Sequence, residues 1–207
     1  MRLSTAIIFC FSLLITACAT EPTTSKLYPS TIADQESRQN PFIANIETSA
    51  EQGDAQSQYD LGIRYTEGTL IKRDFKKAVE WIRKSAEQGN AMAQSRLGDF
   101  YHTGQGVTQN YEAAAKWYRK AAAQGDWMGQ DGLSELYDRG WGVKRDRAKA
   151  YFWCSVAEWS SPLIQVDCEK LEENVTPEQK DAVDKQVEKW MSTHIQPTQE
   201  DELRNRR

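Results

Sequence analysis

Few residues in this 207-residue chain are of a type and spacing that could do covalent chemistry. It holds four cysteines and two histidines. No SxxK, GxSxG, HExxH, CxxC or phosphate-loop pattern occurs after the first eighteen residues. His102 and His194 stand alone near the ends of expected helices, where an imidazole is ordinarily solvated or favourably placed against the helix dipole. Glu172-Glu173 and Glu200-Asp201-Glu202 read as solvated faces rather than as an acid/base pair. The sequence therefore points to no catalytic residue, no metal site and no cofactor. With 30 acidic against 26 basic residues the net charge is −4, which argues against nucleic acid as a partner, because such binding rests on Lys and Arg displacing counterions. Cys154 and Cys168 lie seven residues before and seven after Ser161, in the turn Ser160-Ser161-Pro162. In an antiparallel helical hairpin these positions face one another. An oxidising compartment then favours a disulfide, against the alternative of two small buried apolar side chains.

The compartment is indicated by the start of the chain. Arg2 precedes an apolar run from Ala6 to Ile15 in which Ser12 is the one polar residue, too short to span roughly 30 Å of hydrocarbon as a helix and suited to an export signal. Cleavage after Ala19 is one reading. The other is that Leu14-Ile15-Thr16-Ala17-Cys18 resembles a bacterial lipobox, which implies acylation of Cys18 and removal of residues 1–17. Ala19, in place of Asp, resembles signals for the outer membrane, so the expected location is the envelope, lipid-anchored and facing the periplasm. Contact with the membrane would then run through the N-terminal lipid only. Residues 18–39 are rich in Thr, Ser, Gln, Glu and Pro and are expected to be a flexible tether, and residues 196–207 a disordered tail.

The helical domain is expected over 40–195. At an offset of 36 residues Leu61, Leu97 and Leu133 coincide, as do Tyr65, Tyr101 and Tyr137, and Trp81, Trp117 and Trp153. A fixed period of this length is the mark of a solenoid, with repeats at about 54–89, 90–125 and 126–161. Within one period, Asp54, Asn90 and Asp126 follow a glycine and suit the start of a first helix, while Asp74, Asn110 and Asp146 suit the start of a second. Leu61, Gly62 and Tyr65 share one stripe of the first helix, and Gly62 at its centre is expected to admit a neighbouring helix closely. Ala78 and Trp81, with their equivalents, are expected to form the buried stripe of the second. Asn40-Pro41 opens a starting helix running to about Gln52. Thr176-Pro177-Glu178-Gln179 carries a capping box with Pro at the first turn of a closing helix, preceded by an expected helix over Leu163 to Asn174.

The pattern Gly-Asp-Ala, Gln, Leu-Gly, Tyr, Gly-x-Gly-Val, Asp-Tyr, Ala, Trp-Tyr-x-Lys-Ala-Ala-x-Gln-Gly closely resembles the Sel1-like repeat, a relative of the tetratricopeptide repeat. The resemblance implies an all-α, right-handed solenoid of antiparallel helix pairs, with about eight or nine helices. Leu70 replaces the second loop glycine in the first repeat, Ser134 replaces the stripe glycine in the third, and Trp127 stands where a small residue is usual, which places the local packing of the third pair in question.

By resemblance to tetratricopeptide repeats, partners lie along the first helices, at positions flanking the buried stripe. These are Tyr59, Ile63 and Thr66; Ser95, Asp99 and His102; and Asp131, Glu135 and Asp138. Core positions keep their identity from repeat to repeat while these vary, and four carboxylates in the last two trios suit a partner with a basic surface. The expected function is a non-enzymatic scaffold or adaptor that binds a protein partner in the concave face. Small Sel1-like lipoproteins also include immunity proteins that neutralise lipase toxins in the periplasm. An enzyme acting on the cell wall or on β-lactams is the third reading, and lacks any motif in its favour.

Overall fold

A computed structural model describes residues 40–161 and 168–194. The signal, the tether and the tail expected from the sequence lie outside the described residues. Nine helices and no strands occur among the described residues: α1 (Pro41–Glu51), α2 (Ala55–Glu67), α3 (Phe75–Glu87), α4 (Ala91–Thr103), α5 (Tyr111–Ala122), α6 (Trp127–Arg139), α7 (Arg147–Ser160), α8 (Glu169–Glu172) and α9 (Pro177–His194). Each helix packs against the next along the chain through α7, and α9 returns to α7. The first helices of the three repeats are α2, α4 and α6; the second are α3, α5 and α7.

Caps set these boundaries. Asp54 accepts from the Ser57 amide at 2.7 Å, Asn90 from Ala93 at 2.9 Å and Asp126 from Gly129 at 2.8 Å, and Asp74, Asn110 and Asp146 cap the second helices in the same way. A side-chain oxygen at this place satisfies one of the amides a helix leaves unpaired at its start. Trp127 is the first residue of α6 and half-buried, and the cap beside it is intact. Gly106 and Gly142 adopt positive φ in the loops, and a Cβ on either would strike the backbone at the start of the preceding second helix, at Phe75 or at Tyr111. Leu70, at the equivalent place in the first repeat, is exposed.

Leu61, Leu97 and Leu133 are buried, as are Ala78, Ala114 and Ala150. Full burial of one such leucine contributes about 1.5–3 kcal/mol. The tryptophans depart from expectation. Trp81, Trp117 and Trp153 are half-buried, and the residue after each one, Ile82, Tyr118 and Cys154, occupies the core instead. The indoles lie at the margin, where the Lys84 ammonium sits 3.9 Å from the Trp81 ring centroid and that of Lys120 sits 4.2 Å from Trp117. Gly62 explains the exchange, because a Cβ there would lie 2.6 Å from an Ile82 side-chain carbon. Gly98 plays the same part toward the Tyr118 ring.

Adjacent repeats are stitched by glutamines. Gln58 donates to the Ala50 carbonyl at 3.0 Å and Gln94 to that of Ala86 at 3.1 Å, and each accepts in turn from Gln88 or Gln124, just past the end of the following helix. At the start of the array α1 buries Ile43 and Ala50 with Leu61. At its end α9 opens on the reciprocal Thr176 and Gln179 bonds of a capping box, buries Val183, and meets α7 where the Tyr151 hydroxyl donates to Asp184. Cys154 and Cys168 form a disulfide with Cα atoms 5.7 Å apart. The expected helix over 163–174 is reduced, among the described residues, to the single turn of α8; 163–167 lie outside them. Among the described residues no helix is long and apolar enough to cross a membrane.

Candidate protein-binding groove

The first helices α4 and α6 pack directly on each other as well as on their own partners, so they lie on the inner side of the curve. Side chains flanking their buried stripe converge there. Asp99 of α4 is the centre: its carboxylate accepts from the buried Tyr118 hydroxyl at 2.8 Å and from Arg96 at 3.3 Å. Burial nonetheless raises its pKa above the ordinary carboxylate value, because these donors only partly replace lost water. Asp131 of α6 is raised too, by desolvation and then by the negative charges of Glu135 and Asp99. Asp126, at the start of α6, is raised by burial against the bonds it accepts from the Gly129 and Met128 amides.

Arg96 is the guanidinium that ties this stretch together. It pairs with Asp99, and its charge also reaches Asp126 and the half-buried Tyr59 hydroxyl of α2. At the loop edge His102 Nε2 lies 3.9 Å from a Glu135 oxygen. Its ring is 5.5 Å from Tyr111 and 5.7 Å from Trp141, which stack on one another at 5.0 Å. Gln109 fixes this corner by donating to the His102 carbonyl and to the Tyr111 hydroxyl. Trp141 keeps 37% of its surface exposed, so it offers an aromatic face beside the carboxylates.

Of the nine positions expected to line the groove, Tyr59, Asp99, His102, Asp131 and Glu135 come together. Ser95 does not line it: it is fully buried, and its hydroxyl bonds to the Met92 carbonyl. Ile63 packs into the core cluster of the first two repeats, and Thr66 bonds back to the Gly62 carbonyl. Asp138 stands apart with Arg145 at 3.7 Å and Arg139 at 3.9 Å, its charge already compensated. Arg96, Asp126, Tyr111 and Trp141 were not singled out as groove residues by the sequence reading. Trp141 was findable, as an aromatic flanked by two loop glycines where the preceding repeat has Gln105.

The Sel1 repeat model matches three consecutive segments, 55–90, 91–126 and 127–157. The chain belongs to the Sel1 repeat family. No curated protein matches it. Among solved structures, this Sel1 repeat protein is similar to c5321, a protective antigen of uropathogenic Escherichia coli with an SLR fold. That match has a TM-score of 0.54 and 39% identity, over 56% of this chain and 25% of that one. A Sel1 repeat protein from Oxalobacter formigenes matches with a TM-score of 0.56 and 29% identity, over 61% and 52%. Cysteine rich protein B of Helicobacter pylori shares the fold, with a TM-score of 0.50 and 20% identity over 68% and 97%. The chain thus spans about a quarter of the first relative and half of the second. Sel1 repeat proteins are in general protein-binding scaffolds, and the groove described above has the composition for binding, with carboxylates, one guanidinium and exposed aromatic surface.

Proposed function

We propose that this Sel1 repeat protein is a non-enzymatic scaffold, anchored in the bacterial envelope by lipid on Cys18, which holds a partner protein with a basic surface in the groove between α2, α4 and α6. The observation that carries the reading is the crowding of Asp99, Asp126, Asp131 and Glu135, of which the Arg96 guanidinium compensates only Asp99 and Asp126. Two of these carboxylates, Asp99 and Asp131, are raised first by desolvation and in part by their neighbours' charge, and lysine or arginine from a partner would relieve that repulsion while the field steers its approach. Trp141 and Tyr111 supply the aromatic contact that interfaces favour.

The test uses the full chain in detergent. Asp131→Lys with Glu135→Lys should lower both capture of the envelope partner and binding of a fluorescein-labelled Lys-Lys-Leu-Phe-Lys-Lys probe, and the loss should shrink as salt rises. Unchanged binding of both would overturn the groove assignment. For the anchor, Cys18→Ser should abolish incorporation of radiolabelled fatty acid and leave unprocessed precursor. An unmodified wild-type chain beginning after Ala19 would overturn the lipid reading.

A further inference from the structure

The second helices carry charge of the opposite sign. Together α3, α5 and α7 hold six lysines and three arginines against four carboxylates, net +5, whereas α2, α4 and α6 hold no lysine and three arginines against six carboxylates, net −3. On the second-helix side lies a cavity of about 490 Å³ between α5, α6, α7 and α9, with Tyr137, Phe152, Trp153 and Val183 as apolar wall and Arg119, Asp146, Lys149 and Gln186 as polar lining, the one carboxylate being taken up by Lys149. A second depression of about 360 Å³ adjoins it, lined by Lys116, Trp117 and Lys120, and Arg119 borders both. The volumes fall within the range of ligand pockets.

The cations here differ in what they already hold. Lys149 is committed to Asp146 at 3.2 Å and lies over the Tyr137 ring, and Lys120 lies over Trp117. Arg119 and Lys116 are exposed and pair with no carboxylate among the described residues. A planar guanidinium with its donors unpaired, set between two aromatic-walled depressions, suits a carboxylate delivered together with an apolar side chain. We infer that this surface is a second docking site, for an acidic peptide segment of a partner protein whose carboxylates meet Arg119 and Lys116 and whose apolar side chain enters the cavity beside Trp153. The concavity favours a peptide over a bilayer surface, which is flat on this scale. The site is independent of the acidic groove and would let one solenoid bridge two partners of opposite charge.

Fluorescence anisotropy with the full chain in detergent tests this, using a labelled Glu-Glu-Leu-Phe-Glu-Glu probe. Arg119→Glu should weaken the probe about tenfold, as reversal of an engaged charge does. Gln186→Glu should weaken it several-fold and Gln186→Lys should tighten it, while Lys72→Glu, in the loop before α3, should change nothing. These exposed positions leave folding intact, which circular dichroism checks. Failure of the probe to bind, or binding that ignores both Arg119→Glu and Gln186→Glu, would overturn the site. So would anionic phosphatidylglycerol vesicles that retain the protein with the same Arg119 dependence, or sedimentation showing that Arg119→Glu dissolves a dimer; these outcomes assign the surface to lipid or to a second copy. Since the Lys-Lys-Leu-Phe-Lys-Lys probe reports on the acidic groove, loss of one site is separable from loss of the other.

Discussion

Asp131→Asn should make the free protein more stable and a worse binder. In the folded chain Asp131 is an exposed residue at the groove, yet its ionised form is disfavoured by partial desolvation and by the charges of Glu135, one turn away on α6, and Asp99 of α4. Like charges at this helical spacing cost about 0.2–0.5 kcal/mol, and exposed pairs seldom exceed about 1 kcal/mol. The neutral isostere should therefore contribute about 0.5–1 kcal/mol, which for an array of this size is a rise in Tm of roughly 1–4 °C. The pH dependence has a definite sign. Because the folded-state pKa of Asp131 lies above the ordinary value of 3.8, the folded state holds the proton more tightly, and its favourable contribution is complete below 3.8 and lost as pH rises through the folded value. Wild type and variant should thus melt alike near pH 3.5 and diverge upward, with the full difference at pH 7. High salt should shrink that difference, and the basic probe should bind the variant several-fold more weakly. Differential scanning fluorimetry across pH supplies the measurement. A variant less stable at pH 7, or a gain that persists undiminished at pH 3.5, would refute the electrostatic reasoning.

Reduction of Cys154–Cys168, which closes a loop of fourteen residues' separation, should cost about 3 kcal/mol in the chain-entropy model and lower Tm by roughly 6–12 °C, read by melting with and without reductant. Gly98→Ala sets a helix-propensity gain of about 1 kcal/mol against overpacking of about 1–3 kcal/mol. The new Cβ would sit 2.5 Å from two ring atoms of a Tyr118 that is buried and bonded to Asp99, so urea unfolding should show a net loss. Gln94→Ala should cost about 1–3 kcal/mol by removing two hydrogen bonds, the one it donates to the Ala86 carbonyl and the one it accepts from Gln124. Gln130→Met should be neutral or stabilising in the same assay, since the Gln130 amide is fully buried with no partner among the described residues.

The period of 36 made the helix pairs, their caps and the leucine core legible, because the residues responsible act within one repeat. The tryptophans misled for a geometric reason. Neighbouring positions on a helix differ by about 100°, so Trp81 and Ile82 both flank the inward direction, and apolar size favours the indole. The deciding feature is the partner surface: Gly62 and Gly98 leave room directly above Ile82 and Tyr118, and the amphipathic indole settles at the margin, under a lysine. Groove candidates within one helix, such as Asp131 and Glu135, were expected from the resemblance to tetratricopeptide repeats. Arg96, Asp126 and the burial of Ser95 did not, because they depend on how one repeat is set against the next. Curvature of that kind is not written in the repeat length.

Repeat solenoids owe their stability to the sum of repeat packing and nearest-neighbour interfaces, and in this chain those terms reside in side chains that the groove does not use. Leu97, Ala114 and Leu133 are buried, while Asp131, Glu135 and Trp141 remain accessible on the same framework. Surface identity can therefore change from repeat to repeat without loss of the fold, which is how Thr66, His102 and Asp138 come to occupy equivalent positions. The exception is Arg96. Its guanidinium is linked to Tyr59, Asp99 and Asp126, so it belongs to three repeats at once and its buried Nε has no partner among the described residues. Substitutions at distant groove positions should add, and those that share Arg96 should couple. The electrostatics of the groove are thus collective in the middle of the array and local at its ends.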